Sequence, residues 1–288
     1  MKIFKGLIGL VTLIITLVAA YYLFFAPPPE VSRTHGPEDK SPSPVLSLPP
    51  SRKHPPAKKT IAIIIDDIGY SLSSLAELLK IEAPLAFAIL PHSPHAGAAA
   101  AMIHRRGGHE ILLHLPMEPH DAKKSPGPGA LFHDMTESEI RERLAEDLAA
   151  VPQAVGVNNH MGSAFMEDEE KLYLVLKELQ KRGLFFIDSR TTAASRGKAV
   201  AARTAIPFAA RSLFLDNDSD QEVVFHNLLN SVAKSDRLSM VIIGHPHPGT
   251  VRALQKAVPL LQAQGLIIVP PSDIVASPDE KTRSAEFN

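Results

Sequence analysis

Residues 60–70, TIAIIIDDIGY, carry five consecutive apolar residues straight into a pair of carboxylates, Asp66 and Asp67, and then a glycine. An unbroken, β-branched run this short reads as a strand covered on both faces, as in a parallel sheet. Gly69 releases the strand into a turn, and the spacing of Leu72, Leu75, Leu78 and Leu79 predicts an amphipathic helix directly after it. Parallel sheets place their chemistry at the ends of strands, so two acids here suggest a metal site or an acid/base pair. Side chains on a strand alternate between faces, so both acids reach one site only if the chain begins to bend at Asp66. The plainer alternative is that Asp67 caps the helix.

The same alternation continues along the chain. Further strands are expected at 85–90, 110–115, 154–158, 184–187, 212–215, 240–243 and 266–269, with helices at 137–150, 167–182, 221–233 and 251–264 among those between them. Thr136 with Glu139, and Ser219 with Glu222, have the spacing of capping boxes. Gly183 and Gly265 sit where a helix hands over to a strand. Strand then helix, repeated, predicts a parallel α/β barrel or an open doubly wound sheet. No glycine-rich phosphate loop follows the first strand, which argues against nucleotide binding, and a net charge of −1 gives no sign of a nucleic-acid partner.

Nearly every expected strand ends in a residue able to do chemistry. After Asp66 and Asp67 come His92 and His95, then GHEILLHLPMEP with His109, His114 and Glu118, then NNHMGS with Asn158, Asn159 and His160. Asp188, Asp216 and the segment Gly244-His245-Pro246-His247-Pro248 end the later strands. Only a common C-terminal face can bring these together. The chain has no cysteine, so disulfides and thiolate ligands are excluded and a metal falls to His, Asp or Glu. Imidazoles and carboxylates suit a divalent metal, zinc above all, with Asp67 on the metal, Asp66 as base and a histidine as acid. Metal-assisted hydrolysis is the reaction class that follows. His104, His120, His133 and His226 read as ordinary surface residues, and 125–129, SPGPG, as a surface loop.

Outside this domain, Lys2 and Lys5 precede an uncharged apolar stretch, residues 6–26, long enough to cross a bilayer. Residues 1–26 are expected to be an uncleaved signal anchor in the inner membrane, with the domain outside the cytoplasm, in the periplasm of a bacterial envelope. Residues 27–59, rich in Pro, Ser and charge, read as a disordered linker, 60–275 as the folded domain, and 276–288 as a polar tail.

IIIDD, then GHEI-x-x-H, then a late strand ending in His resembles the NodB-type polysaccharide deacetylases. LPMEP, NNHMGS, FFIDSRT and GHPHPGT extend the likeness over residues 60–275 to the divergent polysaccharide deacetylase family. The resemblance implies an irregular (β/α) barrel of about seven strands. It also implies Asp66 as general base, Asp67 and His114 as metal ligands, Glu118 where a second metal histidine stands four residues on, and His160 completing the shell. Asp188 would orient a catalytic His245, and His247 has no counterpart. Substrate contacts fall to Asn158, Asn159, His95 and His247. The function implied is deacetylation of an N- or O-acetylated cell-envelope glycan, such as peptidoglycan. The alternative is a catalytically degenerate binding or scaffold protein on the same fold.

Overall fold

The computed structural model describes residues 59–275. The expected anchor, the linker and the tail lie outside them, apart from Lys59. Among the described residues no helix is long and apolar enough to cross a membrane.

The first apolar run is strand β1 (Thr60–Ile68), and Ser71, not Asp67, caps the helix that follows, α1 (Leu72–Leu78). The chain then continues through β2 (Ala86–Ile89), α2 (Ala96–Arg106), β3 (Glu110–Met117), α3 (Glu137–Ala150), β4 (Gly156–Met161) and α4 (Glu169–Lys181). After these come β5 (Phe185–Asp188), α5 (Gly197–Thr204), β6 (Phe208–Ala210), β7 (Leu213–Phe214), α6 (Gln221–Lys234), β8 (Ser239–Gly244), α7 (Pro248–Ala263) and β9 (Ile267–Ile268). The expected capping box at Thr136 opens α3, with Thr136 Oγ1 accepting from Glu139 N and the Glu139 carboxylate accepting from Thr136 N. At α6 the cap lies one residue later than expected, because Asp220, a better acceptor than a hydroxyl, takes the amides of Glu222 and Val223.

All nine strands are parallel in one sheet, ordered β6-β5-β4-β3-β2-β1-β8-β7 with β9 against β1. The expected barrel of about seven strands is therefore a partial barrel of nine, with no ladder between β6 and β7. Those two end strands are nonetheless joined by Arg211 and Ser212 alone, so the sheet must curl until its ends lie within roughly 11 Å of each other.

The strand pleat divides the core. Ile61, Ile63 and Ile65 face the helices in the larger cluster, where α2, α4, α6 and α7 bury their apolar stripes. Ile64, Ala86, Ala88, Leu112, Phe185, Ile187, Val241 and Ile243 fill the inside of the curl. Both faces of β1 are thus dry, as the unbroken isoleucine run requires. Two residues beyond the inner layer, the same pleat delivers Asp66 after Ile64, His114 after Leu112, and His245 after Ile243.

Candidate metal centre

The second carboxylate departs from strand alternation. The β1–β2 register shifts between Ile65 and Ile68, and Asp67 adopts φ 55, a left-handed conformation uncommon outside glycine. This bend turns Asp67 toward the face that Asp66 already occupies. Gly69, at φ 122, completes the exit, since a Cβ there would stand 1.8 Å from Ser93 Oγ.

Asp67 Oδ1 lies 3.3 Å from His114 Nε2 and 3.0 Å from His160 Nδ1, and the two imidazole nitrogens are 3.1 Å apart. Ligands at zinc-bond lengths of about 2.0–2.1 Å and tetrahedral angles stand about 3.3 Å from one another, so the triangle has the dimensions of a metal face. Asp67 Oδ1 is buried and has no aligned hydrogen-bond donor, as expected of an atom that accepts a cation. Asn158 fixes the rest: its Nδ2 donates to Asp66 Oδ1 at 2.7 Å, so its Oδ1 is left to accept from His114 Nδ1 at 2.9 Å. That bond puts the His114 proton on Nδ1 and aims the Nε2 lone pair at the triangle. The residues present therefore fit a divalent ion.

Charge follows the same geometry. Burial would raise Asp67, but His114 and His160 beside it hold its carboxyl well below the usual range. Burial would lower His114, yet the Asp66 and Asp67 charges push it up to about 9. Asp66, 3% exposed, is raised because burial outweighs the neighbouring imidazoles.

On the other side stands His245, whose Nε2 is 3.7 Å from Asp67 Oδ2. Its Nδ1–H donates to Asp216 Oδ1 at 3.1 Å, and its backbone N–H to Asp216 Oδ2 at 2.6 Å. Thr250 Oγ1 donates to the same Oδ2 at 2.7 Å. Burial opposes protonation of His245, but the Asp216 hydrogen bond and the Asp66 charge raise its pKa. A cavity of about 520 Å³ opens over these residues, walled also by Asn159, Ser189, Arg190, Arg211 and Phe214.

Asp66, Asp67, His114, His160 and His245 are thus brought together, and five expected residues are not placed as read. Asp188 does not touch His245: Ile187 faces inward, so its neighbour faces outward, where Asp188 accepts from Ser195 Oγ at 2.7 Å and from the Arg190 amide at 2.7 Å. Asp216 holds His245 instead. Glu118 lies outside the triangle and pairs with His133 at 2.5 Å. Residues four apart meet on a helix, but on a strand such as β3 they are about 13 Å apart. His95 begins α2 and lines no part of the cavity, and His247 precedes α7 with its ring centroid 5.7 Å from that of His245. Asn158 is fully buried between Asp66 and His114, so it orients the site from behind and meets no substrate. Asn159 does line the cavity while its amide holds Ser189 N and Met161 O.

Arg211 was not singled out in the sequence. From the two-residue link between β6 and β7 it donates to Ser189 O and Arg190 O at the end of β5, and burial together with Arg190 lowers its pKa. Only knowing that β6 precedes it would have put it at a strand end.

The profile of a family described as divergent polysaccharide deacetylase matches residues 63–275. The uncharacterized protein YibQ of Escherichia coli K12 is 34% identical over 238 residues, 79% of this chain and 73% of that protein. An uncharacterized protein of known structure from Agrobacterium tumefaciens C58 superposes with a TM-score of 0.71 at 22% identity, over 76% of this chain and 89% of that one. The Bc1960 peptidoglycan N-acetylglucosamine deacetylase, solved with 4-naphthalen-1-yl-N-oxidanyl-benzamide, superposes with a TM-score of 0.50 at 17% identity, covering 75% of this chain and 87% of that one.

Proposed function

The chain belongs to the divergent polysaccharide deacetylase family, and from that premise we propose that it is a divalent-metal-dependent hydrolase removing acetyl groups from an N- or O-acetylated glycan of the cell envelope. The observation that carries this reading is the triangle of Asp67 Oδ1, His114 Nε2 and His160 Nδ1, flanked by a buried carboxylate and by an imidazole held by a second carboxylate. Zinc held by these three residues would act as a Lewis acid toward the acetyl carbonyl and make water acidic enough to ionise near neutral pH.

The chain's own groups supply the proton transfers. Asp66, pinned by Asn158, takes the proton of the attacking water, and burial keeps its carboxylate more basic than an exposed one. His245, with Nδ1–H tied to Asp216, presents Nε2 to the cavity, and its raised pKa favours the imidazolium that returns a proton to the departing sugar nitrogen or oxygen. Water oxygen is thereby joined to the acetyl carbon, acetate leaves, and the glycan keeps the proton. Three ligands make a catalytic zinc set without Glu118, so the position of that residue does not favour the scaffold reading. The structural likeness to a peptidoglycan N-acetylglucosamine deacetylase supports an envelope glycan as substrate. Lys2 and Lys5 ahead of an uncharged 6–26 support an inner-membrane anchor with the domain outside the cytoplasm.

The test is acetate release from chitin oligomers or peptidoglycan by the zinc-loaded full chain. Asp66→Asn is expected to lower turnover by about 10²–10⁴ while zinc content stays intact. Asp67→Ala should lose both. Full zinc content in Asp67→Ala, or undiminished turnover in Asp66→Asn, would sink the assignment.

A further inference from the structure

The triangle of Asp67, His114 and His160 has a neighbour of the same kind. Asp216, His245 and His247 each offer one donor atom, and the three atoms lie within 4.8 Å of one another. The proposed chemistry uses His245 as an acid and Asp216 as its holder, and it leaves His247 without a task. His245 joins the two clusters: its Nε2 is 3.7 Å from Asp67 Oδ2, toward the first triangle, and its Nδ1 is 3.1 Å from Asp216 Oδ1, within the second.

Asp216 is buried, and its Oδ2 is occupied by the His245 amide and Thr250 Oγ1, whereas its Oδ1 accepts only from His245 Nδ1 and keeps a lone pair. His245 and His247 alternate with Pro246 and Pro248, and a residue before proline is confined to extended backbone, as His247 is at φ −68 and ψ 144. The two rings, with centroids 5.7 Å apart, are therefore presented from a stiff chain. His247 holds the N-cap of α7, where Ser, Thr, Asp or Asn would accept from the free amides, yet its side chain is exposed and makes no capping bond. A local rule broken this way marks functional positions more often than structural ones. Asp216 Oδ1 and His245 Nδ1 already stand close to the separation of two ligands on one zinc, about 3.3 Å. A turn of the exposed His247 ring brings in the third, and water takes the fourth place.

We propose that Asp216, His245 and His247 form a second, weaker divalent-cation site whose occupation disables the catalytic acid. The ion takes the Nδ1 lone pair of His245 in place of the proton donated to Asp216, and the one proton of the neutral imidazole passes to Nε2. Both nitrogens are then engaged, so the ring cannot take up the further proton that would make it an imidazolium acid. His247 stands at the positive end of the α7 dipole, which disfavours a cation there, so this site fills at higher zinc than the first. The inhibition rests on the deacetylase reading; the binding of the ion does not.

Titration of the full chain with zinc, read by calorimetry and by acetate release from chitin oligomers, tests it. The wild type is expected to bind two ions per chain, to reach full turnover with the first, and to fall to about a hundredth or less as the second binds, the usual contribution of a general acid. His247→Ala, at an exposed position, should bind one ion, match wild-type turnover at one equivalent, and keep that turnover in excess zinc. Equal inhibition of His247→Ala by excess zinc, or a single ion on the wild type throughout the titration, overturns the site. Two ions on the wild type and one on His247→Ala, with no acetate released by either, would instead fault the deacetylase reading and leave the second site standing.

Discussion

Asp67 is held in a left-handed conformation that costs a non-glycine residue roughly 1–3 kcal/mol, at the position where strand alternation would have sent it away from Asp66. Without metal, the charge it brings is balanced by a protonated His114, whose folded pKa of about 9 stands above the usual imidazole value. A raised folded pKa stabilises the metal-free protein below the unfolded value, about 6.5, and that stability is lost as pH rises through 9. The melting temperature of the metal-free protein is therefore expected to fall between pH 6.5 and 9, and zinc uptake below pH 9 to release about one proton per ion. Calorimetry in buffers of different ionisation enthalpy reads the proton directly; zinc uptake at pH 7 with no proton released would contradict this account of His114. The sequence showed which residue types end the strands, and Asp66, Asp67, His114, His160 and His245 meet accordingly. It did not show which face each one takes. Asp188 and Asp216 both end apolar runs, and only the inward facing of Ile187 rules out the first. Glu118 stands at a spacing that joins two ligands on a helix and separates them on β3.

The elements that were legible carry strong local signals: the isoleucine run of β1, the capping box of α3, the leucine stripe of α4. Those signals also have thermodynamic weight. Thr136→Ala should cost about 1 kcal/mol by freeing the Glu139 amide and breaking the reciprocal bond, a fall in melting temperature of about 2–4 °C. Zinc content should not change, because α3 reaches the metal centre through no ligand, and a thermal melt beside a metal assay checks both halves. The elements not singled out were those whose signal is tertiary. Helix α2 buries mainly alanines, which show little periodic contrast, and β6 is three half-buried residues paired only with β5. Missing β6 hid the seam, and with it the role of Arg211 in the cavity wall.

At the scale of the whole described domain, the two ends of the curled sheet have separate tasks. Chemistry occupies the C-terminal ends of β1, β3, β4 and β8, whereas the N-terminal end is closed by the last described residues. Strand β9 pairs with Thr60 and Ile61, and Ser272 binds Glu110 at the start of β3 through its amide and hydroxyl. Ile274 and Val275 then pack against the inner layer of Ile64, Leu112 and Val241. That layer is small, eight fully or nearly buried residues, so a plug at its open end adds to its burial. Ile274→Asp would set a charge against it and is expected to cost about 1–3 kcal/mol. Because the metal ligands stand at the far end of the same strands, zinc stoichiometry at temperatures below the melt should be unaffected. His160→Ala should do the reverse, losing zinc while the metal-free melting temperature shifts little, since the imidazole is half-buried at the cavity wall and outside both apolar clusters. Parallel melts and metal analyses of the two variants test the division; zinc loss in folded Ile274→Asp would mean that the inner layer transmits strain from one end to the other, and that stability and chemistry are not separable along the strands.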